Sequence, residues 1–342
     1  LFHAVKVQKC VNIIPKIIRV AGINLQLQNH SNMKAILLQK PGGTENFEYQ
    51  DIHKPAIHPG EVLIEVKAIS INPVDIKTRM GKGVYGRIKD ESPLILGWDV
   101  SGFVVESLSD EYKAGDEVFG MIRFPGHGKA YAEYVAAPAA HLAKKPGNVS
   151  HEEAAAATLA ALTAYQVIVE QAQVKDGQKV LIHAASGGVG HYAVQVAKSL
   201  GAYVIGTSSE KNRDFVLGLG ADEHIDYHTA DLDALKDIDF ALDALGDANV
   251  LRTIPLMRKG GTIISIPSGL GQEVVEAAKV NQVNAGFSMV QSSGENMKAI
   301  ADLLANGTLR SHVSTAFSFD DITGAHQQIE SGRTVGKIVL TF

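Results

Sequence analysis

Residues 185–190 read Ala185-Ser186-Gly187-Gly188-Val189-Gly190, directly after the apolar, β-branched run Lys179-Val180-Leu181-Ile182-His183-Ala184. Tyr192-Ala193-Val194-Gln195-Val196-Ala197-Lys198 follows with helical spacing. A strand, a glycine turn and a helix start in that order make an anion site. Unpaired backbone N–H groups and the helix dipole converge there, and the anion that suits them is a dinucleotide pyrophosphate. Gly187, Gly188, Val189 and Gly190 form the phosphate turn: a side chain at Gly187 or Gly188 would hold the phosphates off the backbone, and Gly190 lets the helix lie close on the strand. Ala185 stands where G-x-G-x-x-G has its first glycine, so the string is only moderately specific. On this stretch alone, a glycine-rich turn that binds nothing is the alternative.

The next strand, Tyr203-Val204-Ile205-Gly206-Thr207, ends at Ser208. An NAD site places an acid about 20 residues past the glycines, for the ribose 2′-hydroxyl. Here Ser208 and Ser209 occupy that place, with Lys211 and Arg213 just beyond. Hydroxyls and cations bind a 2′-phosphate, whereas a carboxylate repels it. NADPH is therefore the expected cofactor, with Ser208 and Lys211 facing its 2′-phosphate.

These groups need a scaffold of alternating elements. From Ser150 onward, strands at Lys179–Ala184, Tyr203–Thr207, His224–Asp226, Phe240–Asp243 and Thr262–Ile266 alternate with helical segments, the pattern of a doubly wound parallel sheet. Ser150 with Glu153 three residues on is a capping-box start for an alanine-rich helix. Before that point the chain is β-rich, with short strands at Met33–Leu38, Glu61–Val66, Gly102–Val105 and Glu117–Gly120 separated by Pro-Gly and Gly-Asp turns. Such strands suggest a partly open barrel. A helix at Gly294–Ala305 and a final β-type run, Lys337-Ile338-Val339-Leu340, return to that first unit. The expected division is 33–157 with 292–342 for the barrel unit and 158–291 for the doubly wound unit.

The 342 residues suffice for two domains, and 45% hydrophobic with 20% charged residues is ordinary for a globular chain. A net charge of −5 offers no basic field for nucleic acid or an anionic membrane. No uninterrupted apolar run reaches the ~20 residues of a membrane span. The sole cysteine, Cys10, forms no disulfide within the chain and suits a reducing compartment, with the cytoplasm the expected location. Residues 1–32 carry Lys6, Lys9, Lys16 and Arg19 without an acid. They are expected to be a non-native or upstream-translated, disordered extension, a mitochondrial presequence being the alternative.

Several motifs occur in a fixed order: Ile71-Asn72-Pro73-Val74-Asp75, Leu96-Gly97-Trp98-Asp99, Ala114-Gly115-Asp116-Glu117-Val118 and Ala130-Tyr131-Ala132-Glu133-Tyr134-Val135. Leu162-Thr163-Ala164-Tyr165, the glycine turn, Leu219-Gly220-Ala221-Asp222, Gly260-Gly261-Thr262 and Gly336-Lys337-Ile338-Val339-Leu340 follow. From Met33 to Phe342 the chain resembles a zinc-free medium-chain dehydrogenase/reductase of the quinone oxidoreductase, zeta-crystallin-like, branch. The resemblance implies an α/β protein with a GroES-like barrel catalytic domain and a Rossmann domain. It also implies NADPH as cofactor, a small quinone or enone as substrate, and a homodimer.

Zinc members of that superfamily hold their catalytic ion with cysteines and a histidine. Asn72 stands at the first cysteine's place, Trp98 at the histidine's, and no cysteine follows Cys10. Thirteen histidines are present, yet none forms a tightly spaced ligand cluster; His127, His141, His183 and His191 read as surface or packing residues. No metal is expected, so hydride must go to an acceptor that is already electrophilic.

By the same resemblance, Asn72 lies beside the nicotinamide, where its amide could donate to a carbonyl oxygen; a plain Asn-Pro turn is the alternative. Lys77 is similarly placed to reach the substrate oxygen, and Tyr85 ranks lower as a proton donor. Asp75 reads as a helix N-terminal acid without catalytic role. Thr163 is the hydroxyl near the nicotinamide, Tyr227 packs at the 2′-phosphate end, and Lys337 reaches the cofactor unless it is an edge-strand lysine. The competing functions are an enoyl-thioester reductase and a non-catalytic NADPH-binding or structural protein on the same fold.

Overall fold

The computed structural model describes residues 32–229 and 232–342; the extension expected over residues 1–32 lies, but for Asn32, outside the described residues. Six strands form an all-parallel sheet. In spatial order they are Glu223–Asp226, Tyr203–Ser208, Lys179–Ile182, Ile238–Asp243, Met257–Ser265 and Asn284–Phe287. Counted along the chain this is the order 3-2-1-4-5-6 of a Rossmann sheet, which reverses direction beside Lys179–Ile182. Val180, Leu181 and Ile182 are fully buried, as a central parallel strand covered on both faces requires.

The other large sheet has seven strands, and its backbone is the long strand Glu61–Ile71. Along one edge that strand pairs with Asp99–Ser107; its other edge is shared by Tyr134–Pro138 and Lys337–Thr341. Two register shifts against Asp99–Ser107 bend the pair, as a strand serving three partners must. Val313–Ser318 and Lys337–Thr341 run parallel, joined through the helix Ile322–Glu330. Asn32–Leu38 pairs antiparallel with Phe47–His53, which the sequence pattern did not mark. Asn284–Phe287 was likewise unmarked.

Two expectations about local structure are corrected. The central strand stops at Ile182, not Ala184: Ala184 takes φ 50°, turning the chain into the glycine cluster two residues early. Lys337 is not on an edge, because its strand lies between Val313–Ser318 and Glu61–Ile71. The alanine-rich run begins as expected, with the Ser150 side chain accepting from the Glu153 N–H. It then breaks into His151–Ala156 and Leu159–Tyr165, packing against the barrel sheet and against the helix Gly190–Ser199 respectively.

Candidate active site

The glycine turn opens the helix Gly190–Ser199, and of the first N–H groups of that helix the one of His191 donates to the Gly187 carbonyl at 3.0 Å. A Cβ built on Gly190 would overlap the carbonyl oxygen of Ala184, so only glycine lets the helix sit this close to the strand end. The fully buried His191 holds the turn in place. Its Nδ1 donates to the Gly187 carbonyl at 3.0 Å, while Nε2 accepts from the His312 N–H at 3.4 Å. Burial pushes this imidazole down to about 3, so it stays neutral. The Gly336 N–H donates to the Ser186 carbonyl at 2.8 Å, tying the turn to the barrel unit's final strand.

Lys337 starts that strand, and its stem passes Gly188: a Cβ built there would lie 3.3 Å from the lysine Cδ. Its ammonium donates to the Ile71 carbonyl at 3.0 Å and to the Asn72 side-chain oxygen at 2.5 Å. Asn72 caps the short helix Pro73–Arg79 and is 1% exposed. Its Nδ2 donates to Asp99 Oδ2 at 2.7 Å, and its backbone N–H donates to Asp75 Oδ2 at the same distance. One hydrogen of the Asn72 amide is therefore committed to Asp99 and one remains. Asp75 does serve as the expected helix-start acid, but it is also buried beside a second carboxylate. Burial, then the charge of Asp99, pushes it up to about 7. Asp99 is raised as well, by burial, against the pull of Lys337, Asn72 and Thr158.

A row of polar groups continues outward from Asp75. The Tyr131 hydroxyl, which interacts with Asp75, lies 3.1 Å from His326 Nε2; His326 Nδ1 is 3.4 Å from Arg79; Arg79 reaches Glu330 at 2.5 Å. Arg79 is a permanent donor, so His326 Nδ1 accepts and Nε2 carries the hydrogen. Asp99, Tyr131 and His326 were not singled out in the sequence. Asp99 and Tyr131 stand within two of the ordered motifs, but nothing in spacing says that their side chains converge.

Lys77 lies on the same short helix as Asn72, and its ammonium crosses to the Rossmann unit to meet the Pro267 carbonyl at 2.9 Å. Tyr85 opens the next one-turn helix, half-buried, and its hydroxyl makes no hydrogen bond to the described residues. The Thr163 hydroxyl is buried and donates to the Leu159 carbonyl at 2.7 Å, leaving its lone pairs for an incoming donor.

At the end of Tyr203–Ser208, Ser208 is buried, and its hydroxyl hydrogen goes to the Ser209 carbonyl at 3.1 Å. Lys211 is exposed on the turn Glu210–Asn212, and the Tyr227 N–H donates to the Ser208 carbonyl at 3.3 Å, which brings Tyr227 to the same end. Glu210, not weighed in the sequence, also stands here. Of the four histidines read as surface or packing residues, His183 bonds Thr253 at 2.9 Å behind the turn, and His127 and His141 bond backbone groups of the barrel unit.

Residues 58–147 match the alcohol dehydrogenase GroES-like domain, and residues 219–340 match a family described as zinc-binding dehydrogenase. The mitochondrial NAD(P)H oxidoreductase RTN4IP1 of Bos taurus is 31% identical, with 90% of this chain and 89% of the relative covered. The chain belongs to the medium-chain dehydrogenase/reductase family. Within that family it is similar to the 2-methylene-furan-3-one reductase of Solanum lycopersicum, at 32% identity over 91% of this chain and 79% of the relative. Among solved structures, the quinone oxidoreductase from Coxiella burnetii superimposes with a TM-score of 0.86 at 36% identity, covering 91% of this chain and all of that one. Family membership makes the chain an oxidoreductase with a nicotinamide cofactor, and the glycine turn with its dedicated Gly190 fits that group.

Among the described residues no group of three or more His, Cys, Asp or Glu is placed to hold a metal ion. The Asn72 amide oxygen already carries the ammonium of Lys337. No helix of the described residues is long and apolar enough to cross a membrane.

Proposed function

We propose that the chain is a zinc-independent, NADPH-dependent oxidoreductase that transfers hydride to a quinone or an α,β-unsaturated carbonyl. The observation that carries this reading is the Lys337–Asn72–Asp99 chain beside the phosphate turn: amide and ammonium donors are gathered there, at the residue that the resemblance sets in the first ligand cysteine's place. The cofactor, when bound, supplies the hydride. The chain's own residues then have to hold the acceptor and stabilise the negative charge that develops on its oxygen. Lys77, with hydrogens to spare beyond Pro267, and the second amide hydrogen of Asn72 are the donors proposed for that oxygen. Tyr85 is the remaining source of a proton. Thr163 is proposed to meet the nicotinamide end, Gly187 to Gly190 the pyrophosphate, and Ser208, Lys211 and Tyr227 the 2′-phosphate end.

The domain division proposed is 33–157 with 292–342 and 158–291, with the site between the two units. A homodimer is the assembly proposed. Asn284–Phe287 is the outer strand of the parallel sheet, and Phe287, Val275 and the 81%-exposed Val280 place apolar surface at that edge. The cytoplasm is the compartment proposed, on the sole cysteine.

An assay of NADPH oxidation across quinones, enones, enals, enoyl-CoA and simple alcohols tests the function. Turnover of a quinone or enone, undiminished by EDTA, supports it. Faster oxidation of alcohols, or an activity that tracks bound zinc, overturns it.

A further inference from the structure

The ribose end of the site holds a buried imidazole that no residue pattern marked. His224 lies on the strand beside Tyr203–Ser208, in register with Gly206, and its side chain is fully covered. Ser208 Oγ is 2.8 Å from His224 Nε2. With the Ser208 hydrogen on the Ser209 carbonyl at 3.1 Å, Nε2 carries the hydrogen of this contact. That tautomer leaves Nδ1 bare. Nδ1 is buried with no hydrogen-bond partner, and it faces Glu210 Oε2 at 3.9 Å. Glu210 projects into solvent from the turn that carries Lys211, with Arg213 3.7 Å away.

We propose that Glu210, His224 and Ser208 act as one carboxylate–imidazole–hydroxyl unit, in which the protonation of His224 sets how strongly a 2′-phosphate is preferred to a 2′-hydroxyl. The proposal rests on the assignment of a nicotinamide dinucleotide to the glycine turn. With His224 neutral, the Glu210 carboxylate stays out at the end of the strand beside Arg213, where it accepts from a ribose hydroxyl and opposes a phosphate. With His224 protonated, Nδ1 gains a hydrogen and donates to Glu210. The carboxylate is then drawn toward the ring, and Lys211 and Arg213 meet the phosphate without an opposing charge. Burial holds the imidazole below its ordinary value, with Arg213 acting the same way, against Glu210 and Asp226, which favour its protonation. By linkage, binding of NADPH takes up a proton that binding of NADH does not.

The test is calorimetric titration of the full chain with NADPH and with NADH between pH 5 and 8.5, in buffers of different ionisation enthalpy. The expected result is an NADPH-to-NADH affinity ratio that rises about tenfold from pH 7 to pH 5, with proton uptake on NADPH binding alone. The phosphate's own second ionisation, near pH ~6, drives the ratio the other way, so the sign discriminates. H224Q keeps a donor to Ser208 and should flatten the ratio and abolish the uptake. E210Q should hold the ratio at pH 8 near its acidic value, and it serves alone if H224Q does not fold. A ratio that falls on acidification, or a rise that survives in E210Q, overturns the proposal while the dinucleotide site stands. Failure to bind either dinucleotide overturns both.

Discussion

Lys337 and Asn72 are bonded at 2.5 Å across the junction between the final strand and the helix Pro73–Arg79. The lysine stem lies against the glycine turn, while its ammonium offsets the charge of Asp75 and Asp99. One cation thus serves both the phosphate turn and a buried acidic pair.

Removing that cation strands the carboxylates. Lys337→Met should destabilise the protein by about 3–5 kcal/mol, the usual cost of breaking a buried pair from one side. Lys337→Met combined with Asp99→Asn should recover most of the loss in urea unfolding. Strict additivity of the two substitutions would show that the groups are uncoupled.

Asp75 titrates in the opposite sense to a paired surface acid. Its folded pKa, about 7, lies above the ordinary 3.8, so the folded chain binds the extra proton between those values. The group's contribution is therefore full below pH ~4, declines by at most ~1.4 kcal/mol per pH unit as pH rises, and is gone above about 7. Asp75→Asn lacks this decline. The variant's stability relative to the parent should grow from pH 4.5 to 7.5 in parallel melting curves and level off above.

Lys77 separates binding from turnover. Lys77→Ala should lower kcat with a quinone or enone by about 10²–10³, the effect of losing one oxyanion donor, and leave the Kd of NADPH within about twofold. Single-turnover rates and fluorescence titration measure the two quantities. Equal losses in both would make Lys77 a cofactor contact.

Lys211→Ala should weaken NADPH by roughly 10- to 100-fold and leave NADH unchanged, the signature of one lost charge-assisted contact to the 2′-phosphate. Equilibrium titration with both dinucleotides checks it.

Gly190→Ala tests the turn itself. The added methyl meets the Ala184 carbonyl, and overpacking of this kind costs about 1–3 kcal/mol. Dinucleotide affinity should fall together with the melting temperature.

The parallel strands were legible in sequence because a strand buried on both faces is a run of Val, Leu and Ile, as at Val180–Ile182. Phe47–His53 and Asn284–Phe287 were not, since both mix exposed polar residues into outer strands without a clean alternation. The glycine turn was visible because backbone chemistry leaves glycines in the string. The convergence of Asp75, Asp99, Tyr131 and His326 was not, for these residues come from four separate places and meet only through packing. Asp75 shows the limit most clearly: its local role as a helix-start acid was readable, but the second carboxylate that perturbs it lies 24 positions away.

The position of Lys337–Thr341 bears on how the molecule is made. That strand lies inside the barrel sheet, between Val313–Ser318 and Glu61–Ile71, and it carries the ammonium that offsets Asp75 and Asp99. On a chain emerging from the ribosome, the whole Rossmann sheet, complete by Phe287, can close first. Until residue 341 is out, the earlier-made unit waits with the Ala68–Ile71 end of one edge of Glu61–Ile71 open and two carboxylates without their lysine. The unit whose first strands are made earliest is thus the one whose sheet can be completed last.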